Sequence, residues 1–277
     1  MKATILTLCL ATFLLSSPQL CQAGVWTRKK QAFYHQLIFT YYETSTQFTR
    51  AGEITAFDNR GRFEKKELNY YLEYGISDRL TLVGNFFYDW IKYQDDFSDL
   101  TNLGFSSSEI ALRYKLFERR FLFSLQSLVS IPPRCREDPL IPITNGQVDL
   151  ELRLLLGRYL PQSKTYTNVE FGVRRRFEEP ADELRCQLLV GSKNRKPWEF
   201  VLQYDGTVSL KNGKLTEIPQ YDVIRTNEYD LHRVSGTIIY HLRGARKLTL
   251  QYYRHVAGKN TGEGWGLSGG IVYELEG

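Results

Sequence analysis

The chain has 277 residues, 42% hydrophobic, 14% aromatic and 24% charged, with a formal net charge of +5. Acidic and basic residues are interleaved without blocks of like charge, which excludes a nucleic-acid-binding arm. Four cysteines in a chain this long, together with a mean hydropathy of -0.36, exclude a disulfide-stapled module and a bundle of membrane helices.

The first 23 residues read as a cleavable export signal: Lys2, an apolar run from Ala3 to Leu15, a break at Ser16, Ser17 and Pro18, and small residues Cys21 and Ala23 at the positions a signal peptidase reads. Cleavage is expected after Ala23, leaving one domain over residues 24–277. The apolar run is too short to span as a helix. Leu20 stands before Cys21 where a lipidation motif wants a small residue, which argues against a lipoprotein. Cys9 and Cys21 leave with the signal, so Cys135 and Cys186 remain and are expected to stay free thiols.

From residue 32 onward the pattern has period two. The first expected strand, residues 32–48, has ambiguous parity because His35 and Gln36 are neighbours. Residues 62–76 and 79–94 form the clearest hairpin: Leu68, Tyr70, Leu72, Tyr74 and Ile76 share one face, and Leu80, Leu82, Phe86, Tyr88 and Trp90 continue it. Ile110, Leu112 and Tyr114 alternate with Glu109, Ala111 and Arg113, and a strand over residues 121–129 follows. In the sharpest case Val148, Leu150, Leu152, Leu154 and Leu156 oppose Asp149, Glu151, Arg153, Leu155 and Gly157. Further strands are expected over 166–177, 182–192, 198–210, 229–242, 247–256 and 265–275. Two strands per hairpin bring the count to about twelve, the range of outer-membrane barrels.

Connections at 77–79, 118–120, 161–164, 194–197 and 243–246 are short and rich in turn residues. Those at 49–61, 95–104, 132–146, 211–228 and 257–264 are longer, with a shorter one at 178–181. Short turns belong to the periplasmic rim and long loops to the outside, so both termini are expected in the periplasm. On the apolar parity, Tyr74, Tyr114, Trp198, Tyr240 and Tyr273 fall near the short-turn rim and Trp90 and Trp265 near the other, forming two aromatic girdles. The expected fold is therefore all-β: a transmembrane antiparallel up-and-down barrel. A soluble sandwich would share the alternation but needs no girdles.

The segments Gly24-Val-Trp-Thr27, Phe39-Thr-Tyr-Tyr-Glu43 and Glu67 to Leu82, above all Glu73-Tyr-Gly-Ile-Ser-Asp-Arg-Leu-Thr-Leu82, resemble the XagA-like outer-membrane barrels and the related families named for the MetA pathway of phenol degradation. The resemblance covers residues 24–131. It implies an outer-membrane protein moving organic compounds and departs from the pattern at the end, where Tyr273 is the last aromatic before Gly277.

Catalysis finds little support. The four histidines, His35, His232, His241 and His255, lack a serine in a hydrolase arrangement, and His232 and Ser235 fall on opposite faces of one strand. No metal-ligand spacing or phosphate-binding glycine loop is present, so neither enzyme nor cofactor is expected. The inward parity, by contrast, is charged: Glu73, Asp89, Glu109, Arg113, Lys115, Asp149, Glu151, Arg153, Glu170, Arg174, Arg176, Arg185, Glu199, Asp205, Arg233 and His241. These residues would line a lumen either as an eyelet for a polar solute or as a plug of paired charges, with Glu151–Arg153 and Glu109–Arg113 the expected pairs.

The functional reading is a monomeric passive channel for small solutes in a Gram-negative outer membrane. Its partners would be outer-membrane lipid, a small organic solute and, during assembly, periplasmic chaperones and the barrel-assembly machinery. The rival is a non-conducting barrel that binds partners through its external loops.

Overall fold

A computed structural model describes residues 24–133, 141–144, 146–177, 181–195, 197–212, 216–218, 223–225 and 228–276; the expected export signal and Cys135 lie outside them. The strands in it are β1 (Phe33–Phe48), β2 (Ile54–Ala56), β3 (Arg62–Ser77), β4 (Leu80–Gln94), β5 (Asp99–Phe105), β6 (Ser108–Glu118), β7 (Leu122–Ile131), β8 (Asp149–Leu160), β9 (Thr165–Arg176), β10 (Glu183–Arg195), β11 (Trp198–Ser209), β12 (Thr216–Ile218), β13 (Val223–Arg225), β14 (Asp230–His241), β15 (Arg246–Lys259) and β16 (Thr261–Leu275).

Long strands pair antiparallel with their neighbours around a ring, and β1 closes on β16 from Phe33 opposite Leu275 to Phe48 opposite Thr261. β5 and β6 make one broken stave, since both pair with β4: Tyr88 opposite Phe105, and Asn85 opposite Glu109. Between them the Ser106 N–H still donates to the Phe87 carbonyl at 3.0 Å. The result is a closed barrel of twelve staves. No helix among the described residues is long and apolar enough to cross a membrane; this chain crosses with strands.

The burial pattern is that of a soluble barrel turned inside out. Along β8, Leu150, Leu152 and Leu154 are 43%, 54% and 57% exposed, while Asp149, Glu151 and Arg153 are at most 8% exposed. A water-soluble sheet protein would hide the leucines, and an apolar band around the whole circumference far exceeds the patches such proteins tolerate. Tyr74, Trp90, Tyr114, Trp198, Trp265 and Tyr273 are all exposed on this outer face, and Tyr240 packs on Trp198 with ring centroids 4.6 Å apart. β1 turns Tyr34, Gln36, Ile38, Thr40 and Tyr42 inward, which resolves its parity.

Two connections differ from expectation. Residues 95–104 carry β5 rather than a loop, because Thr101, Leu103 and Phe105 alternate with Leu100, Asn102 and Gly104 and let the hairpin run on beyond β4's midpoint. Residues 257–264 contract to a turn at Asn260 (φ 49°) between β15 and β16. The glycines there read as a loop, but asparagine tolerates the left-handed region and closes the hairpin directly. The rotation of short and long connections therefore fails at this corner.

Candidate functional site

The lumen is filled in three layers. At the short-turn end, residues 24–31 fold into the bore instead of trailing from β1. Gln31, at φ 66°, reverses the chain; its N–H donates to the Gly75 carbonyl at 2.8 Å. Arg28 N–H donates to Thr81 Oγ1 at 2.8 Å and Lys30 N–H to Asp78 Oδ1 at 2.9 Å. The Arg28 side chain pairs with Glu73 and reaches Glu274 at 3.3 Å. Farther in, the Trp26 carbonyl accepts from Arg113 Nη1 at 3.1 Å and the Val25 carbonyl from Ser124 Oγ at 2.6 Å. Val25 is fully buried against Leu122 and Leu155, and Trp26 meets Tyr166 edge-on at 5.9 Å. The segment thus crosses from the β3 wall to the wall formed by β7, β8 and β9.

Glycines make room for this crossing. A β-carbon on Gly75 would lie 1.8 Å from the Lys29 carbonyl oxygen, and one on Gly157 would lie 2.0 Å from Val25 Cγ1. The alternation of these strands marked both positions as inward. It carried no sign that another stretch of chain would lie over them.

The second layer is the charged belt. All eleven principal lumen candidates point inward, and they sort into clusters. Glu73 accepts from Arg113 Nη1 at 2.8 Å and from Tyr71 OH at 2.7 Å. Glu151 takes Arg153 Nε at 2.7 Å and Arg174 Nε at 2.8 Å, with Arg185 Nη1 at 3.6 Å. Glu170 binds Arg153 Nη1 at 2.8 Å, and Glu109 binds Arg174 Nη2 at 2.8 Å. Arg233 Nη2 reaches Asp205 at 2.8 Å, Glu199 lies 2.8 Å from His241 Nε2, and Asp89 lies 3.0 Å from Lys65 Nζ.

The expected Glu151–Arg153 pair is present; the expected Glu109–Arg113 pair is not. Four residues along a strand is about 13 Å, too far when better partners exist. Arg113 instead reaches across β4, where Thr81 stands opposite it and Val83 opposite Glu73, to Glu73 two staves away, and Glu109 turns to Arg174. Sequence reasoning missed Lys65, Glu67 and Glu183. Lys65 and Glu67 sit in a run where both faces are charged, Arg62, Glu64 and Lys66 being the outward set, so alternation of hydropathy gives no signal there.

The third layer closes the opposite end. Tyr42, Phe63, Ile91, Tyr93 and Tyr253 form an apolar cluster with Ile141 and Ile143, which belong to the connection after β7 and enter the bore. Asn102 Nδ2 donates to the Ile141 carbonyl at 3.0 Å, and Ser107 Oγ lies 2.8 Å from Thr144 Oγ1. An external loop was expected here.

Outside the lumen, Cys186 is a free thiol. His35 and His232 are on the outer face, where His232 Nδ1 lies 2.6 Å from Tyr204 OH; His255, by contrast, is buried in the bore against Tyr42 and Tyr253, with Nδ1 2.9 Å from the Gly262 carbonyl. Among the described residues no group of His, Cys, Asp and Glu is arranged to hold a metal ion.

Fold and lumen together define a class: a closed twelve-stave transmembrane barrel with a charged, occluded bore. Among solved structures the chain is similar to an outer membrane channel from Pseudomonas putida F1, with a TM-score of 0.70 and 13% identity over 92% of this chain and 99% of that one. It is also similar to the NanC porin (TM-score 0.56, 7% identity, 87% of this chain and 100% of that one). A third likeness is to the β domain of the Bordetella autotransporter BrkA (0.56, 11%, 89% and 100%). At these identities the likeness is one of fold, that of outer-membrane barrels. No family model and no curated protein matches the sequence.

Proposed function

We propose that this protein is a channel for small solutes in a Gram-negative outer membrane, held shut at its periplasmic end by residues 24–31. The observation that carries the reading is how that segment is seated. Apart from the side chains of Val25 and Trp26 it is held by hydrogen bonds and ion pairs to lumen groups, and such bonds exchange for water at small net cost. Withdrawing it would re-solvate a polar bore instead of tearing open an apolar core. The charged belt above it is the kind of ring that selects among polar solutes, and the resemblance of residues 24–131 to XagA-like barrels points the same way. The reading includes a monomer, no catalytic activity, contact with outer-membrane lipid, and assembly through periplasmic chaperones and the barrel machinery.

The apolar cap at Ile141 and Ile143 favours the rival, a non-conducting barrel that binds partners through its outer loops. Single-channel recording of refolded residues 24–277 and 32–277 separates the two. Small, infrequent openings from the first and larger, sustained ones from the second are expected. Silence from both, in samples that still migrate as folded barrels before boiling, would give the rival the better case. In the open protein Arg153→Glu should move selectivity toward cations.

A further inference from the structure

The charged belt leaves a cavity of about 100 Å³, walled chiefly by β8, β9, β10 and β11. Its charges are nearly all spent on one another: Arg153 on Glu151 and Glu170, Arg174 on Glu109 and Glu151, Arg233 on Asp205. Arg176 and Asp149 are held more loosely, Asp149 Oδ2 standing 3.6 Å from Arg174 Nη1. Arg176 Nη2 lies 2.6 Å from Glu183, but its Nε stops 3.8 Å from Asp149 Oδ2. Nε and Nη1 make no hydrogen bond, and neither does Asp149 Oδ1. Both residues line the cavity and are buried, at 4% and 5% exposure.

Buried groups in that state need a partner. A guanidinium donor and a carboxylate acceptor left open side by side suit a group that both accepts and donates, and a hydroxyl does so from one atom. Net charge on the guest is disfavoured either way. An anion would approach Glu109, Glu170 and Asp205, and a cation the guanidiniums of Arg153, Arg185 and Arg233. The rest of the rim is hydroxyl and amide, including Ser106, Ser130, Gln187 and Thr207, with Phe87 as an apolar face.

We propose that this cavity is a binding site for a small neutral polyol, of glycerol to pentitol size, with one hydroxyl bridging Arg176 and Asp149. The proposal deepens the channel reading by naming a solute class, and it rests on that reading only for its physiological role.

Saturation-transfer NMR on refolded residues 24–277 in deuterated detergent tests it, with ribitol and glycerol as probes and acetate and glycine as counter-probes. The paired variant Arg176→Gln/Asp149→Asn keeps the net charge. Saturable transfer to ribitol, weakened at least tenfold in affinity in the paired variant, is the expected result. Equal transfer in the variant, stronger transfer to acetate or glycine, or no saturable transfer at all would overturn the site and leave ordered water as its occupant. Should the paired variant not fold, Thr207→Val replaces it, with about a threefold loss expected and an unchanged affinity counting against the site. Binding is read without conduction. A protein that binds ribitol and never conducts keeps the site and loses the channel reading, and one that conducts without binding does the reverse.

Discussion

Val25 occupies the notch left by Gly157: a β-carbon at 157 would stand 2.0 Å from Val25 Cγ1, on the lumen face of β8. Gly157→Ala should therefore unseat the plug while leaving the barrel's ladders alone, since overpacking costs about 1–3 kcal/mol. Conductance should rise toward that of the form lacking residues 24–31. Adding Val25→Ala, which removes the clashing methyl, should restore closure. A Gly157→Ala protein with native conductance would remove this contact from the account.

Glu73 is the hub of the plug's electrostatics, binding Arg28, Arg113 and Tyr71 at once. Glu73→Gln leaves buried Arg113 without a carboxylate and Arg28 with Glu274 alone, and should destabilise the barrel by about 3–5 kcal/mol. The pair Glu73→Leu/Arg113→Leu should cost less than Glu73→Gln alone, because it leaves only Arg28, which also has Glu274. The temperature at which the folded band on an unboiled gel disappears measures both. Equal losses would mean that the cluster is solvated rather than buried.

Orientation is open to a direct test. A peptide tag inserted after Asn212, at the long-connection end, should be reached by antibody on intact cells. One after Gly244, in the turn between β14 and β15, should be reached only after the outer membrane is permeabilised. The reverse pattern would invert the barrel and place the plug outside.

Asp182 ties the long-connection rim together just before β10. It accepts from the Arg176 N–H at 2.7 Å and from Asn212 Nδ2 at 2.8 Å, and it pairs with Arg175. Burial pushes its carboxyl up, but these bonds outweigh it and hold the group below the usual carboxylate range. A depressed acid stabilises the folded state above the unfolded value of about 3.9 and loses that contribution as pH falls through the folded value. Asp182→Asn should therefore cost about 1–2 kcal/mol at neutral pH. The difference from the parent should shrink as pH falls from about 3.9 through the folded value, as read by thermal unfolding at each pH. A difference independent of pH would assign the effect to shape.

The sequence by itself determined the barrel, because a stave's two faces meet lipid and water and alternation records that at every second residue. Leu150 against Glu151 is legible without coordinates, and so are the girdle aromatics and the inward set from Glu73 to Arg233. Tertiary structure decided how that set pairs. Arg113 and Glu73 meet across β4 because the registers of β3 on β4 and of β4 on β6 set Glu73 level with Val83 and Ala111, two residues from Arg113, while neighbouring Glu109 is drawn to Arg174 on β9. It also decided what lies in the bore. Residues 24–31 and Ile141 with Ile143 have no period; the first depend on notches at Gly75 and Gly157 and the second on the apolar cluster around Tyr42 and Tyr253, and both exist only once the walls stand opposite each other.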